Sequence, residues 1–187
     1  MNLQDLRIDS TWSLFLDRDG VINRRIVDDY VKTWEQFEFL PGVLDAIRKF
    51  SLLFGRIIVV SNQQGIGKGL MTEKEMQIIH ERMVEAIREH GGNVDAVYHS
   101  PFLHSDRSVM RKPNVGMALK ARRQFPELRF NRSVMAGDSL SDMIFGKRTG
   151  MATVFIAGNA ETAKKHPRQI DCLCPDLISL ANSLQQP

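Results

Sequence analysis

The sequence predicts an α/β fold: a three-layer, Rossmann-like parallel sheet with helices on both faces. Three observations carry this. Short apolar runs alternate with amphipathic ones along the 187 residues, and strand–helix alternation at this length means βαβ units. The run RIIVVS at residues 56–61 is β-branched and apolar on both faces, as a central parallel strand should be. Acids and amides stand directly after several of these runs, where a parallel sheet opens its crevice. A chain of this size holds one full domain with a core and is too short for two ordinary ones, so residues 1–187 are expected to form a single domain.

Taken in order, residues 12–17 (WSLFLD) read as a buried strand ending in an acid. Residues 41–54 read as a helix, with Val43, Leu44, Ile47 and Phe50 on one stripe and Pro41 near its first turn. After the strand at 56–61 comes the clearest helix, 72–90. Thr72 followed by Glu75 is a capping box, and Gly91–Gly92 supplies the stop. Strands follow at 94–98, 133–136 and 152–156, separated by helices at 115–125 and 140–148, the latter stopped by Gly150. The tail adds a short strand at 170–173 and a helix at 175–184.

Bulk properties narrow the class. Apolar residues at 43% and charged residues at 25% are ordinary for a globular protein. The net charge of +3 is scattered rather than gathered into a stripe, which argues against nucleic acid as a partner. The N-terminal MNLQDLRIDS has no signal-peptide core, and no 18-residue apolar span occurs. Two cysteines, Cys172 and Cys174, make no disulfide framework. These features lead to the expectation of a cytoplasmic protein without membrane contact, monomeric by default.

Four groups of polar residues stand at the predicted strand ends. Asp17-Arg18-Asp19-Gly20 places two carboxylates at i and i+2, with a glycine for the turn. Ser61-Asn62-Gln63-Gln64-Gly65 offers a hydroxyl and amides. Arg111-Lys112-Pro113 supplies cations, and Gly137-Asp138-Ser139-Leu140-Ser141-Asp142 more carboxylates. Singly each is weak: Asp-x-Asp-Gly is often an ordinary turn, Asp138 or Asp142 a helix cap, and Lys112 solvated surface. Their ordered arrival along one sheet edge is the signal. Phosphate esters are anionic and repel nucleophiles, so their hydrolysis needs a cation, a nucleophile and a proton carrier. Carboxylates suit magnesium, which prefers hard oxygen ligands. A carboxylate nucleophile splits hydrolysis into two easier displacements, and a second acid can shuttle the proton. Donors such as Ser61, Asn62 and Lys112 would stabilise the transferred group, commonly worth about 3–4 kcal/mol each.

The stretches LFLDRDGVIN, VVSNQQGIGKG, RKPNVGM and AGDSLSDM resemble the four motifs of the haloacid dehalogenase superfamily. More narrowly they resemble the branch of D-glycero-D-manno-heptose 1,7-bisphosphate phosphatases and histidinol-phosphate phosphatases. The resemblance spans about residues 14–157. It implies the superfamily's fold without a cap domain, since the stretch between the first strand and first helix suffices for a flap only. It also implies a magnesium-dependent phosphohydrolase acting through a phospho-aspartate. By that resemblance Asp17 is the nucleophile and Asp19 the general acid/base. Magnesium is held by the Asp17 carboxylate, the Asp19 backbone carbonyl and Asp138. Ser61 and Lys112 grip the phosphoryl group, and Arg111 meets the far end of the substrate. Asn62, Gln63, Gln64 and Ser139 are further substrate contacts, with Tyr30 on a substrate loop at about residues 27–30. Asp142 is expected behind these, orienting Lys112. Lys68, Arg24 and Arg25 are candidates for a second phosphate.

Many members of that branch carry a zinc loop built from a Cys-x-His and two further cysteines. Residues 98–110 (YHSPFLHSDRSVM) contain no cysteine, only His99 and His104, a poor tetrahedral set. Zinc is therefore expected to be absent, with Pro101, Phe102 and Leu103 anchoring the loop. The implied substrate is a small phosphorylated sugar: heptose 1,7-bisphosphate, cleaved at C7. Histidinol phosphate and a polynucleotide 3′-phosphate are the alternatives. A phospho-accepting signalling module would lack the second acid, Asp19.

Overall fold

The computed structural model describes residues 6–184; the first five residues, on which part of the N-terminal reading rests, and the last three lie outside them. Six strands form one sheet: β1 Ser13–Leu16, β2 Arg56–Asn62, β3 Ala96–Ser100, β4 Ser133–Gly137, β5 Ala152–Ile156 and β6 Cys172–Cys174. Every pairing is parallel, in the order β3-β2-β1-β4-β5-β6. The helices between them are α1 Val43–Leu53, α2 Gln64–Gly67, α3 Glu73–Glu89, α4 Gly116–Gln124, α5 Leu140–Thr149, α6 Ala160–Lys165 and α7 Leu177–Leu184.

The two-residue strand period sorts the core into two faces. Leu14, Leu16, Ile57, Val59, Val134 and Ala136 point to one side, against the apolar stripes of α1, α3 and α7. Phe15, Ile58, Val60 and Met135 point to the other, against Met117, Ala118 and Ala121 of α4 and Phe145 of α5. Both faces are buried, so the strands read as continuous apolar runs rather than alternating ones.

Most expected elements are present with shifted ends. The predicted helix at 41–54 starts at Val43, after Gly42 takes a left-handed turn at φ 72°. The capping box is formed: Glu75 N–H donates to Thr72 Oγ1, and Thr72 N–H to Glu75 Oε2. The strands expected from residues 94 and 170 begin at Ala96 and Cys172 for a shared reason. Just ahead of each, an aspartate carboxylate takes a strand N–H that the ladder would otherwise use. Asp95 accepts from Ile57 N–H at 2.8 Å, and Asp171 from Thr153 N–H at 2.9 Å. Two short helices were not foreseen. α2 carries two glycines and no cap signal, whereas α6 is polar and capped by Asn159, which accepts from Thr162 N–H.

Because β1 lies between β2 and β4, the chain winds away from β1 in both directions. The crevice of such a sheet opens at this reversal, above the carboxyl ends of the strands. Among the described residues no helix is long and apolar enough to cross a membrane.

Phe50 is 1% exposed, in the α1 stripe, with its ring edge-on to Phe54 at 5.9 Å. Phe50→Ala should destabilise the protein by about 3–5 kcal/mol, read as a lowered midpoint in urea with an unchanged slope. A loss below about 1 kcal/mol would mean that this face is loosely packed.

Candidate active site

The four polar stretches meet at the β1/β4 switch point. Asp17 follows β1 directly, its N–H bonded to Ala136 O of β4 at 3.0 Å. Asp138 follows β4, and Asp142 lies in the first turn of α5. Asp17, Asp138 and Asp142 each bring a carboxylate oxygen to within 4.8 Å of the others. Two glycines permit this crowding. A Cβ on Gly20, whose φ is +88°, would fall 1.9 Å from Asp138 Oδ2. One on Gly137 would fall 2.3 Å from Asp142 Cβ.

Three crowded acids, two buried and one largely covered, repel one another unless a cation stands among them. Lys112 does so. Its ammonium lies 2.8 Å from Asp17 Oδ1, 2.6 Å from Asp142 Oδ1 and 2.7 Å from Val60 O. These three oxygens hold the ammonium in place beside Asp17. Burial disfavours the charged ammonium, yet Asp142 and Asp17 outweigh it and raise the lysine's pKa. Asn62 fixes the backbone of the same residue, accepting from Lys112 N–H at 2.9 Å and donating to Lys112 O at 3.0 Å. Asp142 also accepts from Ser139, the N-cap of α5, through its N–H and its Oγ.

Asp17 receives both its donors on Oδ1, from Arg18 N–H and from Lys112, each at 2.8 Å. No donor among the described residues meets Oδ2, which stays available. Burial, then the charge of Asp142, push its carboxyl up to about 7 against the pull of Lys112. Burial likewise raises Asp138 to about 6, although Arg25 opposes it.

Asp19 lies in the opposite electrostatic setting. Burial alone would raise its pKa, but Arg18 outweighs this and, with hydrogen bonds from Asn23 and Gln63, holds it below the ordinary carboxylate value. Arg18 is fully buried and grips both carboxylate oxygens at 2.9 and 3.0 Å. Its other end is packed on α3, with Nη1 2.9 Å from Met76 Sδ and 3.1 Å from His80 Nε2. Burial, then the charge of Arg18, depress His80 well below its usual value, so it stays a neutral acceptor.

Above these groups opens a cavity of about 500 Å³, lined by residues from all four stretches. Of the expected contacts, Asp17, Asp19, Ser61, Asn62, Gln64, Arg111, Lys112, Ser139 and Tyr30 border it, as do Lys68 and Arg25. The loop at 27–30 forms one wall, tied down where Gln64 Nε2 donates to Tyr30 OH at 2.8 Å. Arg111 Nη1 donates to Phe102 O, while its buried Nε has no partner among the described residues.

Three expectations need correction. Gln63 is not a substrate contact: it is fully buried beneath the floor. There its amide donates to Asp19 Oδ2 at 2.7 Å and Ser61 Oγ at 2.6 Å. Its N–H bonds Ser100 O, which continues the β2–β3 ladder and turns the side chain inward. Arg24 is paired with Glu38 at the exposed surface and does not border the cavity. Phe102 is 40% exposed and is no anchor, whereas the expected anchor Pro101 ties the loop down, its O accepting from Gly67 N–H. The two histidines of this loop also part company. His99 pairs with Glu73 of α3 at 2.8 Å, whereas His104 opens a 3₁₀ turn. Arg18, Asn23 and Ser141 were missed. A side chain between two acids normally reads as solvated, and nothing in the sequence marks Arg18 as buried.

The donor set fits magnesium. All the candidate ligands are hard oxygens, and the Asp19 backbone carbonyl and Asp138 Oδ1 face the same point. A single nitrogen, Arg25 Nη2, touches both, at 3.2 and 2.9 Å. Asp142 belongs to the same acidic group, but its oxygens are engaged by Lys112 and Ser139.

A family model described as "HAD-hyrolase-like" matches residues 109–180. A Mycobacterium bovis protein named D-glycero-alpha-D-manno-heptose-1,7-bisphosphate 7-phosphatase is 43% identical over 132 residues, 71% of this chain and 70% of its own length. An Escherichia coli K12 protein, named the 7-phosphatase of the beta anomer, is 36% identical over 139 residues, covering 70% and 71%. In structure, the chain is similar to the D,D-heptose 1,7-bisphosphate phosphatase of B. bronchiseptica, a crystal structure complexed with magnesium and phosphate. The TM-score is 0.82 at 29% identity, over 92% of this chain and 97% of that one. With fold, motifs and relatives in agreement, this chain belongs to the haloacid dehalogenase superfamily of phosphohydrolases, in the branch of the heptose-1,7-bisphosphate 7-phosphatases.

Proposed function

We propose that this protein hydrolyses the C7 phosphate of D-glycero-D-manno-heptose 1,7-bisphosphate through a phospho-aspartate on Asp17. The observation that carries this reading is the Asp17 carboxylate, buried at the cavity floor with both donors on Oδ1. Relatives of both anomeric names support the substrate class. The alpha-named relative is the more similar of the two, which favours that anomer.

Asp17 Oδ2 attacks phosphorus in line with the sugar oxygen, and Lys112 and Ser61 meet the phosphoryl oxygens. Lys112 carries a fixed charge that needs no rearrangement as negative charge develops. Bound magnesium, held by Asp17, Asp138 and the Asp19 carbonyl, would neutralise phosphoryl charge. Asp19 protonates the leaving alkoxide, then deprotonates the water that frees Asp17. Its low pKa in the Arg18 grip suits the second task. For the first it must take up a proton from solvent on the oxygen freed from Gln63, against the hold of Arg18 and Asn23. Arg111, Lys68 and Tyr30 lie further out, where the retained C1 phosphate and the sugar would rest. We further propose a single cytoplasmic domain that works as a monomer and needs no structural zinc. His99 is already engaged by Glu73; stoichiometric zinc in metal analysis would overturn that last point.

Asp17→Asn should lower phosphate release by about 10⁴-fold or more, and Asp19→Asn by about 10²–10⁴-fold. Substantial turnover in purified Asp17→Asn protein would refute the nucleophile. On a substrate panel, heptose 1,7-bisphosphate should be preferred, leaving the 1-phosphate by NMR; faster turnover of histidinol phosphate would reassign the substrate.

Magnesium binding should release protons. Asp17 at about 7 and Asp138 at about 6 lie above the ordinary carboxylate value, so both are partly protonated near pH 6, and the cation binds their ionised forms. Calorimetry in buffers of differing ionisation enthalpy should find on the order of one proton released at pH 6 and almost none at pH 8.5. Affinity rises through this window and then levels. An affinity that does not change between pH 5.5 and 8.5 would contradict these two residues as ligands.

A further inference from the structure

Arg25 stands where its sequence neighbours would not put it. Arg24 faces the surface and pairs with Glu38, both side chains 62% exposed. Arg25 turns inward, and its Nη2 bridges Asp138 Oδ1 at 2.9 Å and Asp19 O at 3.2 Å. Those two oxygens belong to different strand ends, Asp138 lying 113 residues from Arg25 in the chain, and both belong to the proposed magnesium set. Asp138 is largely covered, at 14% side-chain exposure, whereas the Arg25 side chain is 52% exposed. The acid is fixed and the base is free to leave.

Charge counting shows why an exchange is favourable. Counted as ionised, Asp17, Asp19, Asp138 and Asp142 contribute four negative charges. Arg18, Lys112 and Arg25 contribute three positive ones, all within hydrogen-bond reach of these acids. The group is thus near neutral as it stands. Adding a divalent cation with Arg25 in place would leave it at +1; adding the cation while Arg25 leaves brings it to zero. The guanidinium and the metal also need the same two oxygens. Like charges at one point exclude each other.

We infer that Arg25 is an internal competitor of the metal: its guanidinium is exchanged for the divalent cation at Asp138 and the Asp19 carbonyl. This rests on the magnesium site proposed above. Arg25 keeps the acids assembled when magnesium is scarce, and it weakens the metal's apparent affinity by the free energy of its own contact. It is a positioning residue, not a catalytic one.

The test compares Arg25→Gln with Arg24→Gln. Both remove one charge from exposed arginines one residue apart, so both should fold, and they differ in contact with the acids. Titrating magnesium alone by calorimetry, Arg25→Gln should bind about fivefold tighter than wild type, the range of a half-exposed ion pair, and Arg24→Gln as wild type does. In EDTA, Arg25→Gln should melt about 2 °C below Arg24→Gln, and saturating magnesium should close that gap. Equal affinities for the two variants, or weaker binding by Arg25→Gln, would overturn the inference while leaving the metal site standing. Absence of magnesium binding in the wild type would overturn both.

Discussion

Gathering carboxylates at the ends of two adjacent strands creates a problem that the rest of the structure answers. Asp17, Asp138 and Asp142 crowd together, and each is at least partly withdrawn from water. Removing the partner of a buried charge is far costlier than losing an exposed ion pair. Lys112 meets the problem on one side by touching two of the acids and a strand carbonyl. Arg18 meets it on the other by enclosing Asp19. Both cations are buried. The environment of Asp17 is therefore set by neighbours that solvent and salt screen poorly.

Burial and neighbouring charges move two acids that are two residues apart in opposite directions. Asp17 is buried beside like charge and is pushed up, while Asp19 is gripped by a guanidinium and held down. Environments that move two carboxylates in opposite directions are how one site assigns distinct roles to the same functional group. Gln63 connects the halves, donating to Asp19 and to Ser61 from beneath the floor. It thus couples the Asp19 carboxylate to the Ser61 hydroxyl from a fully buried position.

Much of this was legible in the chain. Strand identity followed from apolar runs such as RIIVVS, and site location followed from acids and amides at the ends of β1, β2 and β4. These are regularities of periodicity and topology, which act locally or by general rule. What escaped depends on particular side-chain directions. Gln63 looked like its neighbours in a polar turn, and only the backbone bond to Ser100 O turned it inward. Arg18 reads as solvated in a list of residues, yet the packing of α3 behind β1 makes it the most voluminous fully buried side chain. Arg24 and Arg25 are indistinguishable in sequence, but one pairs with Glu38 at the surface and the other with Asp138. The starts of β3 and β6 were missed because aspartate side chains substitute for ladder partners there.

The pair of hydrogen bonds between the Asn62 amide and the main chain of Lys112 has a wider implication. It registers the lysine to β2 rather than to the segment that delivers it. Residues 101–110 can then change in length, composition or ligand content without moving the ammonium, because the strand keeps its position. A scaffold built this way separates what must stay fixed from what is free to diverge. Variation in that segment becomes a route to new recognition at constant chemistry.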